Sequence, residues 1–122
     1  MEPGLASDYI RFGKASERQW PRFKVDFSLK LLLTSEGSKT TVQGRAHDLG
    51  EGGLSIYVVA QLAEGQQVQL EFIPPFSRRS IEVPAIVRDR SGYRYGLQFR
   101  NLTRDAAEDI SRSCRALFLA AQ

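Results

Sequence analysis

Lys24-Val25-Asp26-Phe27-Ser28-Leu29-Lys30-Leu31-Leu32-Leu33 decides the fold class. Val25, Phe27, Leu29, Leu31 and Leu33 alternate with Lys24, Asp26, Ser28 and Lys30, so one side of an extended chain is apolar and the other polar. Successive side chains of a strand point to opposite faces, and this period of two marks a strand buried on one face. The turn residues Ser35-Glu36-Gly37-Ser38 follow, and Thr40 to His47 can run back as the partner strand. Leu54, Ile56 and Val58 alternate next, then Val68, Leu70 and Phe72 after a turn at Ala63 to Gln66. Pro74-Pro75 ends that strand, and a polar loop through Arg78-Arg79 leads to Ile81, Val83, Ala85 and Val87. Pro84 lacks an amide hydrogen, which points to an edge or a bulge there. Ser91-Gly92 is a hairpin signal, after which Tyr93, Tyr95, Leu97 and Phe99 share one face of a sixth strand.

Six short strands with brief turns predict a closed or nearly closed antiparallel barrel, because closure removes exposed edges. The end of the chain changes period. Thr103 can cap a helix, Asp105 suits its first turn, and Ala107, Ile110, Cys114, Leu117, Phe118 and Ala121 recur at helical spacing. The fold class is therefore all-β dominated, a six-stranded antiparallel β-barrel with a C-terminal α-helix lying on it. Residues 1–16, with Pro3, Gly4 and Gly13 and no clean periodicity, read as a flexible N-terminal lead-in, and residues 17–122 as the domain.

A length of 122 residues fits one domain that needs no disulfide or metal to hold it together. The single cysteine cannot form an internal bridge, Met1 to Ser16 does not resemble a signal peptide, and Leu31-Leu32-Leu33 is the longest uninterrupted apolar stretch. These features predict a cytoplasmic protein without a membrane partner. A formal net charge of +3 suits an anionic partner. The arginines are scattered instead of forming the stripe typical of a duplex-binding protein.

Enzyme chemistry finds no foothold in the sequence. His47 and Cys114 fall on different elements, which argues against a catalytic dyad or a metal cluster. His47 reads as a strand-end surface residue and Cys114 as a small core residue. Asp48 and Glu51 share a turn with no acid–base partner, and Gly50-Glu51-Gly52-Gly53 lacks the spacing, lysine and following helix of a phosphate loop. No catalytic residue, metal or cofactor is expected.

Two clusters carry the binding signal. Arg18-Gln19-Trp20-Pro21-Arg22 places two guanidiniums four residues apart on a partly extended segment just ahead of the first strand. A guanidinium is planar and forked, so it can pair bidentately with phosphate or with guanine O6/N7, or stack on a base; arginines beside a strand are as often simply solvated. In Asp48-Leu49-Gly50-Glu51-Gly52-Gly53, a carboxylate can accept from guanine N1 and N2 and the glycines let a ligand approach the backbone. An ordinary turn would use the same residue types.

Together, in this order and inside this strand pattern, the clusters resemble the PilZ family of cyclic di-GMP receptors. The family signature is RxxxR ahead of the first strand and (D/N)xSxxG after the second. Arg18 and Arg22 match the first part, Asp48 and Gly53 the ends of the second, and Tyr95-Gly96-Leu97-Gln98-Phe99 is similar to the family's last strand. The resemblance runs from about Glu17 to Phe118. It implies a split-barrel fold with a ligand groove on the outside and a receptor for the bacterial second messenger cyclic di-GMP, acting on a protein partner. Arg18 and Arg22 would grip guanine edges and phosphates, Asp48 would read a Watson–Crick edge, and Gly53 would hold the tight backbone of the loop. The lead-in would fold over the ligand.

Gly50 departs from the family, standing where serine is usual. A neutral hydroxyl contact is worth about 1 kcal/mol, or about fivefold in affinity, whereas each charge-assisted arginine contact supplies about 1.5–3 kcal/mol. The departure should therefore weaken binding without abolishing it, and the Gly50 amide can still face a phosphate. Glu17, just before Arg18, would repel a second dianionic molecule and favours one ligand per site. Trp20 can stack on a guanine or cap the barrel. Two other readings remain: a degenerate PilZ-like adaptor that works through protein contacts alone, and a single-stranded nucleic-acid-binding barrel with the last-strand tyrosines as its platform.

Overall fold

The computed structural model describes residues 21–122. Six strands, β1 (Phe23–Ser35), β2 (Ser38–Leu49), β3 (Gly53–Val58), β4 (Gln67–Phe72), β5 (Ile81–Ser91) and β6 (Arg94–Phe99), precede one helix, α1 (Arg104–Ala120). All strand pairs are antiparallel and the sheet closes in the order β1-β2-β3-β6-β5-β4. The predicted barrel and terminal helix are both present.

The alternating apolar residues fill the barrel. Leu29, Leu31, Ala46, Leu49, Leu54, Ile56, Val68, Leu70, Val83, Val87 and Leu97 form one cluster with Ile110 and Cys114 of the helix. Tyr95 is fully buried there, its hydroxyl donating to the Ala60 carbonyl at 2.9 Å and accepting from the Leu62 amide at 3.1 Å. A buried phenol needs such partners, and these two tie the segment after β3 to the core. The β1–β2 hairpin turns through Glu36 (φ 50°) and Gly37 (φ 82°), with Ser35 opposite Ser38. Positive φ at both central residues matches the twist of the flanking strands.

Two expectations about the strands need correction. Tyr93 does not share the buried face of Tyr95: it precedes β6, is exposed, and its carbonyl accepts from the Val58 amide at 3.1 Å. Pro84 lies neither on a free edge nor in a bulge. It pairs with Gln69 just outside the β5–β6 ladder, which starts at Ala85 and Phe99, and its carbonyl accepts from the Arg100 amide at 2.9 Å. The missing amide hydrogen therefore breaks no ladder bond to β6.

On α1, Thr103 caps the first turn by accepting from the Ala106 amide at 3.1 Å, as the sequence predicted. Ile110 and Cys114 are buried and Leu117 and Phe118 half-buried, but Ala107 and Ala121 face solvent and Ala106 takes the inner position. Two polar residues share the buried face. The Ser113 hydroxyl donates to the Pro75 carbonyl at 2.5 Å, and Asp109 pairs with Arg79 at 3.0 Å and with Arg112 at 3.1 Å. Hydrophobic spacing misses such positions because tethering a loop, not burying oil, puts them inside.

Candidate functional site

The site forms where β1 begins, β2 ends and β3 starts. β2 carries a register shift between Ala46 and Asp48: Ala46 pairs with Ile56 and Asp48 with Ser55, leaving His47 as the extra residue. A bulge of this kind opposes two residues to one and re-aims the side chains that follow it. Ala46 and Leu49 remain buried at 1% and 0% exposure. His47 sits edge-on to the Tyr57 ring, centroids 5.3 Å apart, and is half-buried instead of a simple strand-end surface residue.

Asp48 meets Arg22 across the start of β1. Arg22 Nη1 donates to Asp48 Oδ1 at 2.6 Å, with the two side chains 19% and 11% exposed. The pair joins the second arginine of one sequence cluster to the acid of the other, 26 residues away. Arg94, which the sequence did not single out, brings Nη2 within 4.0 Å of Asp48 Oδ2. Its position follows from register: Arg94 pairs with Tyr57 and Ser55 with Gly96, so β6 presents Arg94 diagonally to Asp48. Only strand pairing reveals that neighbour, since no local pattern marks it.

The glycines of the corner are there for space. A Cβ at Gly53 would run into the Leu97 carbonyl oxygen. One at Gly50 would lie 2.8 Å from the Pro21 carbonyl oxygen and 3.0 Å from Arg22 Cδ. The Gly50 amide donates to the Gly53 carbonyl at 2.8 Å and closes the turn, so in this conformation it is not directed at an outside acceptor. Gly50 thus lets the Pro21–Arg22 segment lie flat on the corner, a requirement the sequence alone did not expose. Arg18 and Trp20, like Glu17 and the predicted lead-in 1–16, lie outside the described residues.

Beneath the corner, burial pushes the Cys114 thiol up to about 12, with Glu51 adding to the rise and Arg22 opposing it. The thiol therefore stays protonated at neutral pH and is no nucleophile. Among the described residues no three His, Cys, Asp or Glu side chains gather as a metal site, and no helix is long and apolar enough to cross a membrane.

The family model for the PilZ domain matches residues 16–116. The chain belongs to the PilZ domain family. Solved structures show the same fold at low identity. The PilZ domain of CeSA from a cellulose-synthesizing bacterium is similar with a TM-score of 0.59 at 16% identity, covering 84% of this chain and 99% of that one. YcgR from Escherichia coli, crystallised in complex with c-di-GMP, gives 0.69 at 20% identity, over 86% of this chain and 47% of that one. The Bacillus subtilis inhibitor of motility MotI/DgrA gives 0.66 at 16% identity, over 87% and 53%. The chain thus spans about half the length of the latter two. No curated protein sequence matches. Arg22 matches the second arginine of the RxxxR motif, and Asp48 and Gly53 match the ends of the second motif, where Gly50 replaces the usual serine.

Proposed function

We propose that this PilZ domain is a non-enzymatic, cytoplasmic receptor for cyclic di-GMP. Arg22, Asp48, Gly50 and Gly53, joined by Arg18, form the binding site. The observation that supports it is the 2.6 Å Arg22–Asp48 contact. It sets a forked donor beside an acceptor suited to a guanine edge, on a corner where Gly50 and Gly53 lack side chains. Arg94 adds a third cation for a dianionic guest. Asp48 keeps Arg22 aimed, and its second oxygen accepts from guanine N1 and N2. Residues 1–16 with Arg18 close over the ligand, and Trp20 either stacks on a base or caps the barrel. The surface reorganised in this way is what a protein partner reads.

Isothermal calorimetry with cyclic di-GMP tests the reading. The wild type should bind, and Arg22→Ala should bind at least tenfold more weakly, the loss of about 1.5 kcal/mol expected for one charge-assisted contact. A folded wild type that gives no heat and no NMR shifts at Asp48 or Gly53 ends it. Protection of residues 1–20 from proteolysis by the ligand checks the closing step.

A second reading, a ligand-free adaptor, draws on Gly50. No serine side chain fits between the corner and the Pro21 carbonyl, and Arg22 and Asp48 already satisfy each other. Partner binding that survives Arg18→Ala and Arg22→Ala, with cyclic di-GMP inert, would select it.

A further inference from the structure

The outer face of the barrel carries a second carboxylate in line with Asp48. Reading across the strands, Asp48 of β2 pairs with Ser55 of β3, Ser55 with Gly96 of β6, and Gly96 with Asp89 of β5. Each aspartate directly follows a register shift, one between Ala46 and Asp48 and the other between Val87 and Asp89. Two bulges therefore aim two carboxylates out of the same row, about 14 Å apart across three strand spacings.

The floor between them is built to receive something. Leu54 and Ile56 are fully buried on the inner face, so Ser55 between them belongs to the outer one, yet it is only 4% exposed. Its hydroxyl has no hydrogen-bond partner among the described residues. Buried hydroxyls are normally satisfied, and an unsatisfied one asks for an explanation. Gly96 is small for a reason that points the same way: a Cβ there would lie 2.6 Å from Asp89 Oδ1. The Asp89 side chain is laid back over Gly96 along the floor, and no hydrogen bond or ion pair holds it among the described residues. Cations flank the row on both sides. Arg94 reaches toward Asp48 from one side, and Arg88 is held on the other by Gln98 at 2.5 Å.

We infer that Asp89 reads the second guanine of a cyclic dinucleotide whose first guanine is read at Asp48. The inference rests on the cyclic di-GMP reading above and adds to it a site on β5 and β6. The molecule lies across four strands. Asp89 swings off Gly96 to meet its base, and the two phosphates rest on the Ser55–Gly96 floor it uncovers, where the Ser55 hydroxyl donates and Arg94 and Arg88 supply charge. Its two bases extend outward, each offering the N1 and N2 donors of a guanine to a carboxylate. An adenine at the far end has no such pair of donors, so Asp89 makes the site selective for guanine at both ends.

Calorimetry with two ligands on two proteins tests this. The ligands are cyclic di-GMP and the mixed guanine–adenine 3′,3′-cyclic dinucleotide. The wild type should prefer cyclic di-GMP about tenfold, the value of one charge-assisted contact. Asp89→Ala should lose about tenfold on cyclic di-GMP, keep its affinity for the mixed ligand, and so lose the preference. Equal changes for both ligands, or an undiminished preference in Asp89→Ala, would overturn the assignment while leaving the receptor reading intact. Failure of the wild type to bind cyclic di-GMP would overturn both.

Discussion

Two corners of this barrel use the same device to different ends. At the β2–β3 corner Arg22 pairs with Asp48, and at the β4–β5 turn Arg79 pairs with Asp109 of the helix. Both aspartates are buried. The cations differ. Arg22 is 19% exposed and lies against Gly50, whereas Arg79 and Arg112, which share Asp109, are 64% and 72% exposed. A carboxylate shared by two arginines at the top of a helix turn, with Ser113 fixing the same loop to the helix, is a tether. A carboxylate beside a nearly buried arginine on a glycine corner, with Arg94 4.0 Å away, is what the proposed receptor reading takes as its recognition pair.

The sharpest way to break this contrast is Gly53→Ala. A methyl group directed at a backbone carbonyl finds no flexible side chain to move aside, so β3 must part from β6. Overpacking of that kind should cost about 3 kcal/mol, read as a lower urea midpoint with unchanged slope. The β4–β5 turn, residues 73–80, contains no glycine and makes no comparable demand. A Gly53→Ala protein as stable as the wild type would show the corner to be plastic.

Exchanging the aspartates separates tether from recognition. Asp48→Ala should lower cyclic di-GMP affinity at least tenfold, because it removes both a base acceptor and the group that aims Arg22. Asp109→Ala should leave affinity unchanged and reduce stability by about 1 kcal/mol, a figure kept small because both of its arginines are largely in water. Reversed results, with affinity lost at Asp109 and untouched at Asp48, would sink the assignment of roles.

Gly50→Ser sharpens the comparison within the recognition corner. Restoring the family's usual serine places a Cβ 2.8 Å from the Pro21 carbonyl oxygen and 3.0 Å from the Arg22 side chain. The new hydroxyl offers at most about fivefold, but displacing Arg22 removes a charged contact worth more, so affinity should fall by about threefold. A gain in affinity would mean that the Pro21–Arg22 segment lifts off at little cost when the ligand arrives.

Much of this was legible in the sequence. Alternation in β1, β3, β4 and β5 fixed each strand's inner face, Thr103 marked the start of the helix, and the spacing of Arg22, Asp48 and Gly53 announced the corner. What escaped notice depends on register. Arg94 and Ser55 become neighbours of Asp48, and Asp89 falls in the same row, only once strands distant in sequence are paired, and the bulges after Ala46 and Val87 leave no local signal. Asp109 and Ser113 escaped for a related reason: their burial serves a loop 30 or more residues away. Gly50 read as a missing hydroxyl, whereas the structure makes it a required space.

The smallest expected effect lies on the tethered side. The Ser77 amide donates to the Pro74 carbonyl at 3.0 Å, closing a turn in which Pro75 and Phe76 are central. Phe76 holds φ at 67°, the left-handed region that a type II turn demands at its third position and that glycine or asparagine normally fills. A side chain there costs about 1 kcal/mol, and Phe76, 72% exposed, recovers little of it by burial. Phe76→Gly removes that strain but gives the unfolded chain more freedom to lose, leaving a net gain of about 0.5 kcal/mol. Thermal denaturation should show the midpoint rising by about 2–3 °C, with cyclic di-GMP affinity unchanged. A fall instead would mean that the ring packs on the β4–β5 turn and holds it together, and the tether would then have a third anchor besides Asp109 and Ser113.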